Sequence, residues 1–361
     1  MNNLPSDRPP LRAVHRAIAA LRRGELVVLA GAQPLVLLAA ETASAAALAE
    51  LAKLGSPVLL LAAPRAASVL PDRPVSEPAQ AVAMTPALLT PASLRSLADP
   101  TAEQVFPEPP IAADAPAEAA TALALVKLAS LLPAVLAVPP PADAVAGTLL
   151  AVPSVDVLGY PLSLSAGLQR VAEARVPLAD APDTRIVAFR PGDGGVEHLA
   201  ILVGRPEDVE TPLVRVHSAC FTGDLLGSLR CDCGAQLQTA IARMAQEGAG
   251  ALIYLAQEGR GIGLVNKLRA YTLQDRGLDT LDANRALGWA VDERNFLAAA
   301  IMLEALGIRR LRLLTNNPGK VAALTACGVE VVKRVSHIVA PNGVNDRYLA
   351  AKAERLGHLL K

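Results

Sequence analysis

Cys220-Phe221-Thr222-Gly223-Asp224-Leu225-Leu226-Gly227-Ser228-Leu229-Arg230-Cys231-Asp232-Cys233 holds three of the four cysteines in the chain. A tight pair with one further thiol upstream can supply three corners of a tetrahedron. Three protein ligands leave the fourth corner for water, the pattern of a catalytic rather than a structural zinc. No second cysteine or histidine pair follows to close the shell, which argues against a zinc finger. A disulfide fits poorly, because the sequence shows no signal peptide and few thiols. Chance burial of three thiols is the plain alternative. Cys327 lies in the apolar turn at 324–329 and reads as core.

Outward from this loop the chain alternates strand-like and helix-like stretches. Val214-Arg215-Val216-His217 reads as a strand feeding the cysteine loop, and 235–246 as an amphipathic helix ending at Gly248. Residues 251–255 read as a strand running into Gln257-Glu258-Gly259-Arg260-Gly261-Ile262-Gly263. Helices are expected at 264–276 and 296–306, and strands at 311–314 and 329–332. Upstream, 7–23 and 43–54 read as helices, 24–30, 35–38 and 57–62 as strands, and the prolines at 139–141 as a loop. This alternation predicts an α/β (α+β) fold.

At 361 residues two domains are expected, each large enough for its own core. The texture changes from Ala, Leu and Pro to clustered polar residues near 166, so the expected domains are 1–165 and 166–361. Lys+Arg and Asp+Glu are both 34, which argues against a nucleic acid polymer as partner. Aromatics make up 2%, too few for base-stacking platforms. No charge-free apolar run reaches the roughly 18–20 residues needed to span a bilayer. The expectation is a cytoplasmic protein without a membrane partner.

Two turns carry chemistry of their own. Glu258-Gly259-Arg260-Gly261-Ile262-Gly263 lies between strand and helix, where glycines let backbone N–H groups approach phosphate. It is neither a Rossmann fingerprint nor a P-loop, but Arg260 adds a bidentate phosphate partner. Thr315-Asn316-Asn317-Pro318-Gly319-Lys320 leaves the end of another strand, where ligands bind in α/β sheets. An Asn-Asn-Pro-Gly turn with a solvated lysine is the plain reading of it. Asp292 and Arg294 read alone as a solvated helix start, and Tyr271 as packing.

Together these segments resemble the GTP cyclohydrolase II family over about 167–361. The likeness rests on Arg215-Val216-His217-Ser218 with the cysteine loop, on Gln257 through Leu264 with Asn266-Lys267-Leu268-Arg269-Ala270-Tyr271, on 273–280 with Ala283-Asn284, and on 313–318. It implies a mixed sheet with flanking helices and a zinc site. Cys220, Cys231 and Cys233 match the zinc ligands, one ion per subunit. Arg215, Val216, His217, Ser218, Gln236, Glu258, Gly259, Arg260, Thr280, Thr315 and Lys320 match GTP contacts. Asp292 matches the proton acceptor, Arg294 the nucleophile, and Tyr271 a tyrosine at the reacting end of the base. The implied reaction opens GTP to 2,5-diamino-6-(5-phosphoribosylamino)pyrimidin-4-one, formate and pyrophosphate, the first step of riboflavin biosynthesis. Mg2+ would assist pyrophosphate release, and a homodimer is expected.

One departure stands out. The family reads His-Ser-Glu-Cys where this chain has His217-Ser218-Ala219-Cys220. Loss of a carboxylate beside a metal ligand would lower rate or affinity by roughly 10–100-fold if it supports the metal or the substrate. Two other readings stay open: a related nucleotide hydrolase with altered product or a role in pyrimidine catabolism, and a non-catalytic regulator. Tyr271 argues against a formamide-retaining enzyme, and the full set of thiols with Asp292, Arg294 and Lys320 argues against a scaffold.

Residues 1–165 faintly resemble a 3,4-dihydroxy-2-butanone 4-phosphate synthase domain, through Arg22-Arg23-Gly24-Glu25-Leu26-Val27-Val28, Val105-Phe106-Pro107 and 115–120. Where that family has an acidic Mg2+-binding run, residues 29–35 hold no carboxylate. Its histidine position is Pro116. The expectation is a degenerate domain without synthase activity.

Overall fold

The computed structural model describes residues 12–70, 78–140, 149–192, 194–290 and 292–359. Parts of the helix expected at 7–23 and of the loop at 139–141 therefore lie outside the described residues. The chain forms two units, Met1–Tyr160 with Val265–Glu293, and Pro161–Leu264 with Arg294–Lys361. No described helix is long and apolar enough to cross a membrane.

The first unit is built on a sheet of β1 (Val27–Ala30), β2 (Leu35–Ala39), β3 (Val58–Ala62), β4 (Ala79–Ala83), β5 (Ala112–Ala113), β6 (Ala134–Val138) and β7 (Leu150–Pro153). Their order is β5-β4-β3-β6-β2-β1-β7, antiparallel except where β1 meets β7. β2 and β6 are buried at every position, as inner strands covered on both faces must be. The helices are α1 (Arg12–Arg22), α2 (Ala45–Leu54), α3 (Ala63–Val69), α4 (Pro91–Ala98), α5 (Ala119–Leu128) and α6 (Ser154–Ala166), the last running on into the second unit. Ser44 caps α2 by accepting from Ala47 N.

In chain order α7 (Cys233–Gln246) belongs to the second unit, and α8 (Leu264–Asp275) and α9 (Thr280–Ala286) almost wholly to the first. The expected division at 165/166 put α8 and α9 in the second domain; the structure packs them with the first. Arg269 of α8 is held between Glu41 and Asp99, and α9 packs on α3. Asp279 caps α9, accepting from Leu281 N and Asp282 N.

The second unit holds β8 (Gln169–Arg175), β9 (Thr184–Arg190), β10 (His198–Val203), β11 (Leu213–Ser218), β12 (Gly250–Leu255), β13 (Arg310–Leu314) and β14 (Glu330–Val335), in the order β14-β13-β11-β12-β10-β9-β8. The pairs β11·β12, β11·β13 and β13·β14 are parallel, and the remainder antiparallel. Helices α10 (Leu297–Ala305), α11 (Pro318–Ala326) and α12 (Asp346–Leu356) complete it. β8 to β10 had no sequence-based expectation. β8 is exposed at all seven positions, so it carries no apolar pattern to read.

Alternation along β11 decides the site. Val214 and Val216 enter the core shared with α10, while Leu213 enters the opposite core against Ala240 and Met244 of α7. Side chains two apart share a face, so Arg215 and His217 lie on the α7 side with Leu213. On β12, Tyr254 packs on that same side and pairs in register with His217. The chain goes from β11 to β12 on one side and later returns to β13 on the other. Parallel strands that diverge in this way open a ligand crevice at their carboxyl ends.

Candidate functional site

Three loops leave those carboxyl ends: the cysteine loop after β11, the 256–263 turn after β12, and the 315–320 turn after β13. The three sulfurs of Cys220, Cys231 and Cys233 lie within 4.8 Å of one another, with Cys220 and Cys231 Sγ 3.7 Å apart. Ligands about 2.3 Å from a tetrahedral zinc stand about 3.8 Å apart, so the spacing suits that ion. Cys233 is pushed well above its ordinary 9.0 by hydrogen bonds with Cys220 and Cys231 and then by burial. A divalent cation reverses that balance.

Glycine permits this approach. A Cβ at Gly223 would stand 2.8 Å from Cys231 Sγ and 3.0 Å from Cys220 Sγ, and one at Gly234 would stand 2.2 Å from the Gly223 carbonyl. Asp224 ties the loop to the sheet: its carboxylate accepts from Cys220 N at 3.0 Å, from Tyr254 Oη at 2.9 Å and from His217 Nε2 at 3.1 Å. Arg215 Nε donates to His217 Nδ1, which leaves the ring proton on Nε2. His217 and Tyr254 stack at 5.6 Å. Burial first, and then Arg215, hold the His217 pKa below its ordinary 6.5 against the pull of Asp224. Tyr254 moves upward, through burial and then Asp224.

Arg215 is buried, and its pKa falls to about 10 through burial, opposed by Cys233, Asp232 and Asp224. It donates to Gln236 Oε1, and Gln236 Nε2 donates to Asp232 Oδ2 at 2.5 Å. Lys352 of α12 reaches the other Asp232 oxygen at 2.7 Å, with both side chains buried, and sits 4.2 Å from the Tyr348 ring. The C-terminal segment thus secures the residue between two of the thiols. His337 donates to the Gln236 carbonyl at 2.9 Å.

Glu258 accepts from Phe221 N at 2.6 Å and Gly259 N at 3.0 Å, linking the turn after β12 to the cysteine loop. Gly259 and Arg260 both adopt left-handed backbone, at φ 62° and 63°. That conformation is natural for glycine and strained for arginine, a strain that clusters at functional sites. Thr315 is buried, with its hydroxyl accepting from Asn317 N. Lys320 Nζ donates to the Val216 carbonyl at 2.9 Å. Val216 was expected to touch ligand, but its side chain is in the core, and only its backbone faces the site. The buried Ser218 hydroxyl has no partner.

Positive charge converges here. His358 is lowered to about 4, first by burial and then by Lys352, Arg260, Lys320 and Arg294. Arg294 stands 5.0 Å over Phe296 and also acts on Arg215. Tyr271, Thr280 and Asp292 belong to the first unit: Tyr271 on α8 with Lys267 Nζ 5.8 Å over its ring, Thr280 opening α9, and Asp292 exposed after α9. Ala219, where the family has glutamate, donates its N–H to the Leu255 carbonyl. Sequence reasoning passed over Asp224, Asp232, Tyr254, Lys352 and His358. The first two sit inside the cysteine loop and could have been weighed; Lys352 and His358 carry no local signal.

Replacing Gly223 by alanine should open the sulfur cluster and weaken metal retention by about tenfold or more, the scale of losses around metal ligands. Metal release to a chromogenic chelator reads this directly; unchanged retention would refute the close-approach argument. A second expectation concerns pH. His337 and His358 both titrate near about 4 in the folded protein, against an ordinary 6.5, through burial first. The unfolded chain therefore binds the extra protons, and stability present above 6.5 is lost as pH falls through that window. Thermal midpoints should decline from pH 7 to 4.5, less steeply in His337→Gln.

Residues 169–336 match the GTP cyclohydrolase II family. The chain is 48% identical over 372 residues to GTP cyclohydrolase-2 of Azospirillum brasilense, covering 99% of this chain and 96% of that protein. It is 53% identical over 193 residues to GTP cyclohydrolase-2 of Yersinia pseudotuberculosis, covering 54% of this chain and 98% of that protein. Against solved structures, a two-domain 3,4-dihydroxy-2-butanone 4-phosphate synthase from A. baumannii aligns over 84% of this chain and 93% of that one, at 16% identity and a TM-score of 0.32, too low to define a shared fold. With near-full-length identity to one relative and the thiol site in place, the chain belongs to the GTP cyclohydrolase II family.

Proposed function

We propose that this protein hydrolyses GTP to 2,5-diamino-6-(5-phosphoribosylamino)pyrimidin-4-one, formate and pyrophosphate, opening riboflavin biosynthesis. The observation that carries this reading is the convergence of a three-thiol cluster with Arg215, Arg260, Arg294 and Lys320 in one unit. A nucleoside triphosphate would call for a metal site beside clustered cations, and this convergence supports that reading.

Cys220, Cys231 and Cys233 would hold one Zn2+ per subunit, which when bound supplies a water of lowered pKa at neutral pH for attack on C8 of guanine. The chain's own groups do the rest. Arg260, Lys320 and Arg294 neutralise phosphate charge in a site kept partly from water. Arginine stays protonated, so we assign Arg294 to stabilising phosphoryl charge rather than to attack. Ser218 offers a buried hydroxyl that a bound ligand would satisfy. Asp224 orients His217 and Tyr254 on the sheet face beside the thiols. For Tyr271, Thr280 and Asp292 the proposed roles, at the base, in GTP contact and as proton acceptor, rest on the sequence match. Mg2+ assistance to pyrophosphate release, a homodimer and a cytoplasmic location belong to the same proposal.

The decisive assay incubates zinc-loaded protein with GTP and Mg2+ and follows formate, pyrophosphate and the pyrimidine together. All three should form, and Cys231→Ser should abolish them. Arg294→Lys should slow single turnover; full rate would remove the charge-stabilising role. A fully zinc-loaded protein without turnover would move the reading to another nucleotide. The first half, with no carboxylate at 29–35 and Pro116 in place of histidine, is proposed to lack synthase activity. Ribulose 5-phosphate should yield no butanone phosphate, and its formation would overturn that assignment.

A further inference from the structure

The N-terminal half, proposed above to lack synthase activity, raises the question of what it does. Within the first unit, residues of the N-terminal half hold the segment Val265–Glu293 by specific polar contacts. Arg269 is the centre. Its Nε donates to Asp99 Oδ2 at 3.0 Å, its Nη2 to Glu41 Oε1 at 2.9 Å, and its Nη1 to Asn266 Oδ1 at 2.8 Å. Asn266 is fully buried and donates to the Ser130 carbonyl at 3.0 Å. All of the guanidinium nitrogens are thus engaged, two of them by carboxylates of the other half of the sequence.

The contacts continue along the segment. Arg276 donates to the carbonyls of Pro100 at 3.1 Å and Thr101 at 2.9 Å. α3 packs against α9, and a Cβ at Gly288 would already stand 3.0 Å from that of Ala62. At the far end Lys127 pairs with Glu293 at 2.6 Å and lies over the buried Trp289 ring at 5.4 Å. Ser130, which supplies the carbonyl to Asn266, has φ 56°, a strained backbone for a residue with a side chain. The receiving surface is shaped for its occupant: a charge pair at its centre, a strained carbonyl, and a cation at its edge.

We propose that the N-terminal half serves as a built-in cradle for the segment Val265–Glu293, positioning Tyr271 and Thr280 of the cyclohydrolase sequence. The functional consequence rests on the reading under Proposed function; the cradle itself does not. The Yersinia relative matches 54% of this chain while 98% of its own length is covered, so it is a chain of about half this length. A chain that has the second half alone must secure the segment in another way; this chain does so with its own first half. Glu41, Asp99 and Lys127 are positioning residues, acting through Arg269 and Glu293.

The test uses the full-length protein. Glu41→Gln and Asp99→Asn, singly and together, keep size and hydrogen-bonding atoms while removing the charge that faces Arg269. Amide hydrogen exchange is followed by peptide, beside kcat and KM for GTP and zinc content. In the double variant, exchange in peptides from 265–290 should rise by about tenfold, the scale expected on removing both charged partners of a half-buried guanidinium. Peptides from β1 to β3 and from β11 to β12 should be unchanged, and so should zinc. If GTP is the substrate, kcat/KM should fall with the exchange change. Lys127→Met provides a gentler second variant, with increased exchange confined to 286–293. Unchanged exchange in the segment would overturn the cradle, and so would a uniform increase across the first unit, which marks general destabilisation. A protein inert towards GTP would still give the exchange result, so failure of the two readings can be told apart.

Discussion

Three sulfur atoms held within 4.8 Å of one another form the constraint around which the second unit is arranged. Thiols that close cannot share negative charge, and burial makes each ionisation harder. The loop must therefore be stiff enough to keep them together, in a group that could hold a cation. Gly223 and Gly234 let the backbone fold over itself, and Asp224 pins the turn to β11 and β12 through Cys220 N, His217 and Tyr254. Asp232, between two of the thiols, is fastened from the opposite side by Gln236 and Lys352.

Around that cluster the charges balance by placement rather than by number. The whole chain is neutral by formal count, yet Arg215, Arg260, Arg294, Lys320 and Lys352 act together on the groups of one site. Arg215 and Lys352 are buried, and a buried cation is expensive unless an anion meets it. Asp224 and Asp232 supply part of the compensation. The strained backbone at Arg260 and the Ser218 hydroxyl without a hydrogen-bond partner lie in the same unit.

The regular elements and the thiols were legible in the sequence because their signals are local. β11, β12 and β13 lie within a residue or two of their expected places, and α7, α8 and α10 likewise, since periods of two and 3.6 are properties of neighbouring residues. The thiol spacing needed no partner to be read. β8 escaped because exposure on both faces leaves it without alternation. Period-two alternation directs the Val216 side chain to the core, so this expected contact position presents only its backbone.

The three-thiol spacing, the strands and helices around it, and membership of the GTP cyclohydrolase II family could all be read from the sequence. Which distant charges meet depends on the folded chain alone. Lys352 reaches Asp232 across 120 positions, and Arg269 reaches Asp99 and Glu41 across 170 and 228. Such pairs leave no periodic trace, because a charge is indifferent to where in the chain its partner lies, and only folding brings the two within range. For the same reason the packing of α8 and α9 with the N-terminal half could be learned only from the folded chain.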